Sequence, residues 1–345
     1  MSPPSSDHFS VRAIPSSGRG VIASRSIPAG TVVLNSDAPA AHVIFRQYRK
    51  EVCAHCFEYD RGRTLPVRDN DTGKVYCTER CRERWLQGQG PLGVAAWQAL
   101  HKFVQARGKA LSNTDTIMAT TAKPELDAIN AAWREAESHA QLHSPKSSTS
   151  SKGNKKHQAS ANQSYMRQLD PDILGLFLSG ILFYHNHSET WQDDVCSLAI
   201  DEQPYKSTED LEAHCNSFVQ LRTMLPVELL PSCASTVCQT LVDGGSHNAF
   251  GIRAGSEDGE EYMGYALYPS ASYFNHSCDP NLMKRRLGST WEFMAARDIR
   301  DGEECCITYL GGDEKELSVV RRRSRLKEVW GFGCMCERCL RELKA

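Results

Sequence analysis

Short apolar and polar alternations open the chain. Residues 9–45 hold the runs "FSVRAIP", "GVIASRSI", "TVVLNS" and "AAHVIF", separated by the turn-prone "SSGRG" and "PAG". Alternation bounded by Gly and Pro predicts short strands. From residue 91 the spacing becomes helical: Val94, Trp97, His101 and Val104 share one face, as do Leu126, Ile129, Trp133 and Ala136. Asp170-Pro171 sets a capping side chain before a proline and predicts a helix through the apolar "ILGLFLSGILFY" (173–184). Ser207, three residues before Asp210, caps a further helix with the stripe Leu211, Cys215, Phe218 and Leu225. Strand character returns from about 247 in "HNAFGIRA", "EYMGYALYP", "WEFMAARDI" and "CCITYL", with turns at Gly245 and Asp301-Gly302. The segment "KELSVVRRRSRLKEVW" predicts a last helix. Between the helices, "HSPKSSTSSKGNKKHQASANQS" (143–164) has too little apolar surface to offset its ordering entropy and is expected to be a disordered loop.

Composition narrows the class. Apolar residues make up 40% of the 345 and charged residues 24%, an ordinary globular balance. A formal charge of −2 argues against nucleic-acid binding through bulk electrostatics. "MSPPSSDHFS" lacks the basic start and apolar core of a secretory signal, and no run is long enough to span a membrane. The expected setting is the nucleus or the cytoplasm, where thiols stay reduced, so fourteen cysteines raise a metal question before a disulfide one.

Cys53, Cys56, Cys77 and Cys81 form C-x2-C, a 20-residue gap and C-x3-C, a spacing that can surround a tetrahedral Zn²⁺. Cys334, Cys336 and Cys339 are three thiols without a fourth. They either leave a metal position open or borrow a distant cysteine, for which Cys278 in "SYFNHSCDPNL" (272–282) is suited. A second possibility stays open there. His276 and Cys278 lie two apart on an extended segment and face the same way, as a base and a thiol nucleophile would. Cys196, Cys215, Cys233, Cys238, Cys305 and Cys306 read as small core side chains. "YHNHSE" (184–189) reads as a solvated helix end and "RRRSRLK" (321–327) as a solvated basic face, with a nuclear localisation signal as its alternative.

Taken in order, "SSGRGVIASRSIPAGTVVL", "SHNAFGI", "YALYPSASYFNHSCDPNL", "DIRDGEECCITYL" and "GFGCMCERC" resemble the SET-domain protein lysine methyltransferases of the SET-and-MYND type, in a fungal-like form with a reduced MYND-like finger. The resemblance implies an α+β fold. A β-rich SET domain would be split by the zinc module and a helical insertion, and would end in a cysteine-rich post-SET tail. The corresponding domains are 1–49 and 246–312 for the SET core, 50–86 for the MYND-like module, 87–245 for the insertion, and 313–345 for the post-SET helix and tail.

It further implies methyl transfer from S-adenosylmethionine to a lysine of a protein substrate, histone or not, with one Zn²⁺ in each cysteine module. Gly18, Arg19, Gly20, Asn248, Asn275, His276 and Phe332 would hold the cofactor, and Tyr309 would both contact it and orient the amine. Tyr265, Tyr273 and Phe274 would be channel or packing walls. Two further functions compete: a zinc-containing SET-fold adaptor without turnover, motivated by the shortened finger, and a cysteine-nucleophile enzyme using Cys278.

Overall fold

The computed structural model describes residues 3–15, 17–37, 39–108, 122–142, 165, 168–254 and 261–344. The loop expected at 143–164 lies outside the described residues.

Strands come first. β1 (Phe9–Ile14) pairs antiparallel with β2 (Gly18–Ala23), and β3 (Val32–Ser36) and β4 (Ala41–Ile44) enter two other sheets. A small hairpin, β5 (Val67–Asp69) and β6 (Lys74–Tyr76), carries the cysteine module and leads into α1 (Glu79–Gly108). Then come α2 (Leu126–Leu142), α3 (Pro171–Asn186), α4 (Thr208–Met224) and α5 (Ser235–Asn248). The chain returns to strands with β7 (Ala249–Arg253), β8 (Tyr262–Leu267), β9 (Leu282–Leu287) and β10 (Thr290–Ala295). It then runs into α6 (Val319–Trp330) and α7 (Glu337–Lys344). The late strands complete sheets begun by the early ones, in the orders β3-β10-β9 and β4-β8-β7. The insertion therefore interrupts the sequence of the strand region without dividing its sheets. No helix among the described residues is long and apolar enough to cross a membrane.

Local chemistry explains the helix starts. Asp170 accepts from the backbone of Asp172 and Ile173, and Ser207 accepts from Asp210. α3 is buried from Leu174 through Leu182, the pattern of a helix enclosed on all sides. Ser179 binds both backbone groups of His42 in β4, at 2.8 and 2.9 Å. A Cβ at Gly180 would lie 2.2 Å from a Leu241 methyl, so glycine lets α3 and α5 approach. α1 is broken at Gly90, whose φ of 63° and ψ of 174° no helix accepts, and it restarts at Pro91.

Three elements differ from the sequence expectation. Gly245 lies inside α5, which runs past the 245/246 boundary because Val237, Cys238 and Leu241 are buried. "CCITYL" forms no ladder; it threads between β2 and residues 275–277 through the Cys305 to Val21 bond and a parallel bridge of Ile307 to His276. "LMKRRL" is a strand, β9, with Leu282 inward and its basic residues more open, which masks the period of two.

Candidate functional site

The threaded segment builds the site. Ile307 N–H donates to Asn275 O at 3.0 Å and Ser277 N–H to Ile307 O at 2.8 Å, so residues 275–278 run alongside 307–309. Tyr309 N–H then donates to His276 Nδ1 at 2.9 Å, and the Tyr309 hydroxyl donates to Phe274 O at 3.0 Å. Burial pushes the Tyr309 phenol above its ordinary value, so it stays protonated. Burial likewise lowers His276 to about 4, against the opposing pull of Cys336, and the imidazole is neutral. The ring centroid of Tyr309 lies 5.3 Å from His276, 5.4 Å from Trp330 and 6.2 Å from Phe332. These rings form one aromatic wall.

Asn275 ties that wall to β2. Its Nδ2 donates to Arg19 O at 3.0 Å and to Glu304 Oε1 at 2.9 Å. Gly18 has a φ of +74°, and a Cβ at Gly20 would meet Asn275 Nδ2 at 2.6 Å, so both glycines are dictated by the turn and the approach. The Arg19 guanidinium stacks over the Tyr273 ring at 4.9 Å and donates to Ser197 O; Ser197 Oγ lies 3.0 Å from the Tyr273 hydroxyl. Asn248, at the end of α5, donates to Ala199 O and Gly244 O, both at 2.7 Å. Its Nδ2 is thereby committed to backbone, and only its oxygen remains for a ligand. The loop at 197–199 thus engages the side chains of both Arg19 and Asn248. Phe274 is a packing wall against Phe9 and Phe293, and Tyr265 packs on Phe45.

The cysteines gather as two groups. The ligand atoms of Cys53, Cys56, Cys77 and Cys81 all lie within 4.8 Å of one another, and so do those of Cys278, Cys334, Cys336 and Cys339. Four thiols at these separations match the donor set of a structural Zn²⁺, and each group could hold one ion. Cys278 Sγ lies 3.9 Å from Cys334 and 3.5 Å from Cys339, which gives the tail trio its distant partner. That environment also accounts for Cys278 without a nucleophilic role.

Sequence reasoning missed three residues here. Glu304 receives the Asn275 amide, and Ser197 receives Arg19 from across the insertion. Arg322 is the third. It sits inside the basic run taken for a solvated face, yet it is 1% exposed. It donates to Glu342 Oε2 at 2.7 Å and to Leu317 O, with its Nη2 3.9 Å from Cys339 Sγ. Burial works against its charge, but the bonds to Glu342 and the Cys278 and Cys339 sulfurs outweigh it and hold the guanidinium firmly protonated. Only the acidic "DGEEC" turn that holds Glu304 offered a signal. Nothing local marked Ser197 or Arg322.

The family model for the SET domain matches residues 18–310. A potential protein lysine methyltransferase of Saccharomyces cerevisiae, SET6, is 29% identical over 378 residues, spanning 99% of this chain and 97% of its own length. A SET and MYND domain-containing protein of Dictyostelium discoideum is 41% identical over 92 residues, 27% of this chain and 21% of its own. The human histone-lysine N-methyltransferase SMYD3 is 42% identical over 77 residues, 22% of this chain and 17% of its own.

Proposed function

The chain belongs to the SET-domain family, and from that premise we propose that it is an S-adenosylmethionine-dependent protein-lysine N-methyltransferase. The observation that carries the reading is the parallel bridge between His276 and Ile307, which brings Tyr309, Asn275 and Phe332 to one place with the Gly18–Gly20 turn. An amide, a nearby carboxylate and an aromatic wall suit a cationic amino-acid sulfonium that bears an adenine. Gly18, Arg19, Gly20, Asn275, His276 and Phe332 would hold it, together with the Asn248 oxygen. When bound, S-adenosylmethionine supplies a methyl group on an electrophilic sulfonium.

The chain's own residues have separate tasks. The Tyr309 hydroxyl, held by Phe274 O and kept protonated, presents an oxygen that can orient an incoming lysine amine. The half-buried rings around it limit the water near the amine, which favours its neutral, nucleophilic form. Neutral His276 fixes the Tyr309 backbone through its Nδ1. The cysteine groups, each proposed to hold one Zn²⁺, fasten the MYND-like module and the tail that carries Phe332. The substrate is a protein with an accessible lysine, histones among the candidates, and the setting is the nucleus or the cytoplasm.

The test pairs wild type with Tyr309→Phe on radiolabelled S-adenosylmethionine, histones and cell extract. Wild type is expected to label protein, and the variant to lose at least tenfold in rate. No labelling by wild type, or labelling equal to the variant's, overturns the assignment. The engagement of Arg19 and Asn248 by the 197–199 loop favours one other reading, a SET-fold adaptor. Calorimetry separates them: micromolar S-adenosylmethionine binding, lost in Asn275→Ala, supports the enzyme.

A further inference from the structure

Two adjoining cavities lie along the seam of the cysteine module, one where it meets α3 and one where it meets α1, and no residue of the site above lines either. One has about 30 Å³ open to the centres of water-sized molecules and is lined by His42, Arg49, Lys74, Trp97 and Gly175, among others. The other has about 40 Å³, shares Arg49, Lys74 and Trp97, and adds His101 from α1. A single water needs roughly 10–15 Å³ on this measure, so either space admits a group of a few heavy atoms.

The turn before β6 aims Lys74 into the seam. Gly73 has a φ of +67°, and a Cβ there would lie 2.3 Å from the His101 ring, so the turn is pressed onto α1. Lys74 Nζ stands 3.7 Å over the Trp97 ring centroid in a cation–π contact, and no described residue accepts a hydrogen bond from it. Arg49 uses its Nη2 for Asp172 (3.1 Å) and Pro171 O (2.6 Å), and no described residue accepts from its Nε or Nη1. Gly175 leaves 3.7 Å between its missing Cβ and that Nη2. Filling a seam requires no charge, and a half-buried ammonium answered by an aromatic face alone keeps its hydrogen-bond donors free. Two cationic donors beside open space therefore call for an anion, and Asp172 answers only Arg49.

We propose that this seam binds a carboxylate, held between the Lys74 ammonium and the free edge of the Arg49 guanidinium. A planar group with two oxygens matches the guanidinium fork and the cavity size better than a tetrahedral phosphate does. Burial and the nearby Arg49 charge lower Lys74 to about 7. Burial lowers His42 to about 3, so that imidazole stays neutral through this range, and burial also lowers His101, with Asp69 opposing. Asp172 pairs with Arg49 at 3.1 Å. Lys74 titrates between pH 6 and 8, and its charged form, dominant at pH 6, is the one that binds.

The experiment titrates the full, metal-loaded chain with formate at constant ionic strength, followed by calorimetry and thermal shift. Saturable one-site binding is expected, about tenfold tighter at pH 6 than at pH 8. Lys74→Met should weaken it at least tenfold while keeping metal content and far-UV dichroism. Chloride should not compete at equal concentration, and phosphate should bind more weakly. Absence of saturable binding by wild type, an affinity independent of pH, an unchanged affinity in a folded Lys74→Met, or tighter binding of phosphate than of formate each overturns the proposal. The pH comparison uses wild type alone, so the outcome stands even where the variant fails to fold.

Discussion

A single hydrogen atom at Gly20 decides whether Asn275 reaches β2. A methyl group there would stand 2.3 Å from Ile14 Cδ1, 2.6 Å from Asn275 Nδ2 and 2.9 Å from Glu304 Oε1. The Ile14 tip can swing aside; the Asn275–Glu304 bond cannot stay as it is. Gly20→Ala is predicted to cost about 1–3 kcal/mol of stability in urea unfolding, the usual range for overpacking. It should also weaken S-adenosylmethionine binding at least tenfold by calorimetry. Binding left intact with Asn275 displaced would remove Asn275 from the cofactor set. Residues of this kind were legible because their type is their function: cysteine pairs, an Asn-His-Ser-Cys run and a glycine turn have few other uses together. Arg322 was not. Its burial depends on Glu342 and on sulfurs from elsewhere, and one arginine among several carries no mark of that.

Elements divide in the same way, by how local their cause is. The start of α3 could be read because Asp170 and Pro171 act within one turn, and the hydrogen bonds of Asp170 at 2.9 and 3.0 Å are the cap expected. Asp170→Ala should therefore destabilise the chain by about 1 kcal/mol in urea unfolding. A null effect would mean that packing against β4, rather than the cap, sets where α3 begins. The passage of α5 through Gly244 and Gly245 could not be read, because both residues disfavour helix and tertiary packing, chiefly on α3 and α2, sustains it. "CCITYL" failed for a related reason. Its apolar, β-prone residues promised a ladder, but its partners are an irregular segment and β2, which it meets through single bridges. The element that matters most for the site is thus the one that regular secondary structure describes least.

At the scale of the whole molecule, the tail is a separate small core. Cys278, Leu310, Leu326, Cys334 and Cys339 form their own buried cluster, with Tyr309, Trp330 and Phe332 packed against it. So few apolar groups cannot hold 313–345 in place alone, and the sulfurs form its centre. Cys278 and Cys339 lie 61 positions apart, so a metal between them closes a long loop and removes much of the tail's freedom. Arg322 adds a buried positive charge beside thiolates whose own charge needs an answer. Cys339→Ser is therefore predicted to lose about one equivalent of zinc and at least tenfold in S-adenosylmethionine affinity, because Phe332 and Trp330 leave the Tyr309 wall. Its far-UV dichroism should change little, since α1–α4 pack elsewhere and α5, which touches α6, is held also by α2 and α3. Cys81→Ser should also lose one zinc, fraying the β5–β6 hairpin and the first turns of α1, yet keep the cofactor affinity. Metal analysis and calorimetry on the pair decide the matter. If Cys81→Ser abolished binding and Cys339→Ser spared it, the tail would not be what completes the site.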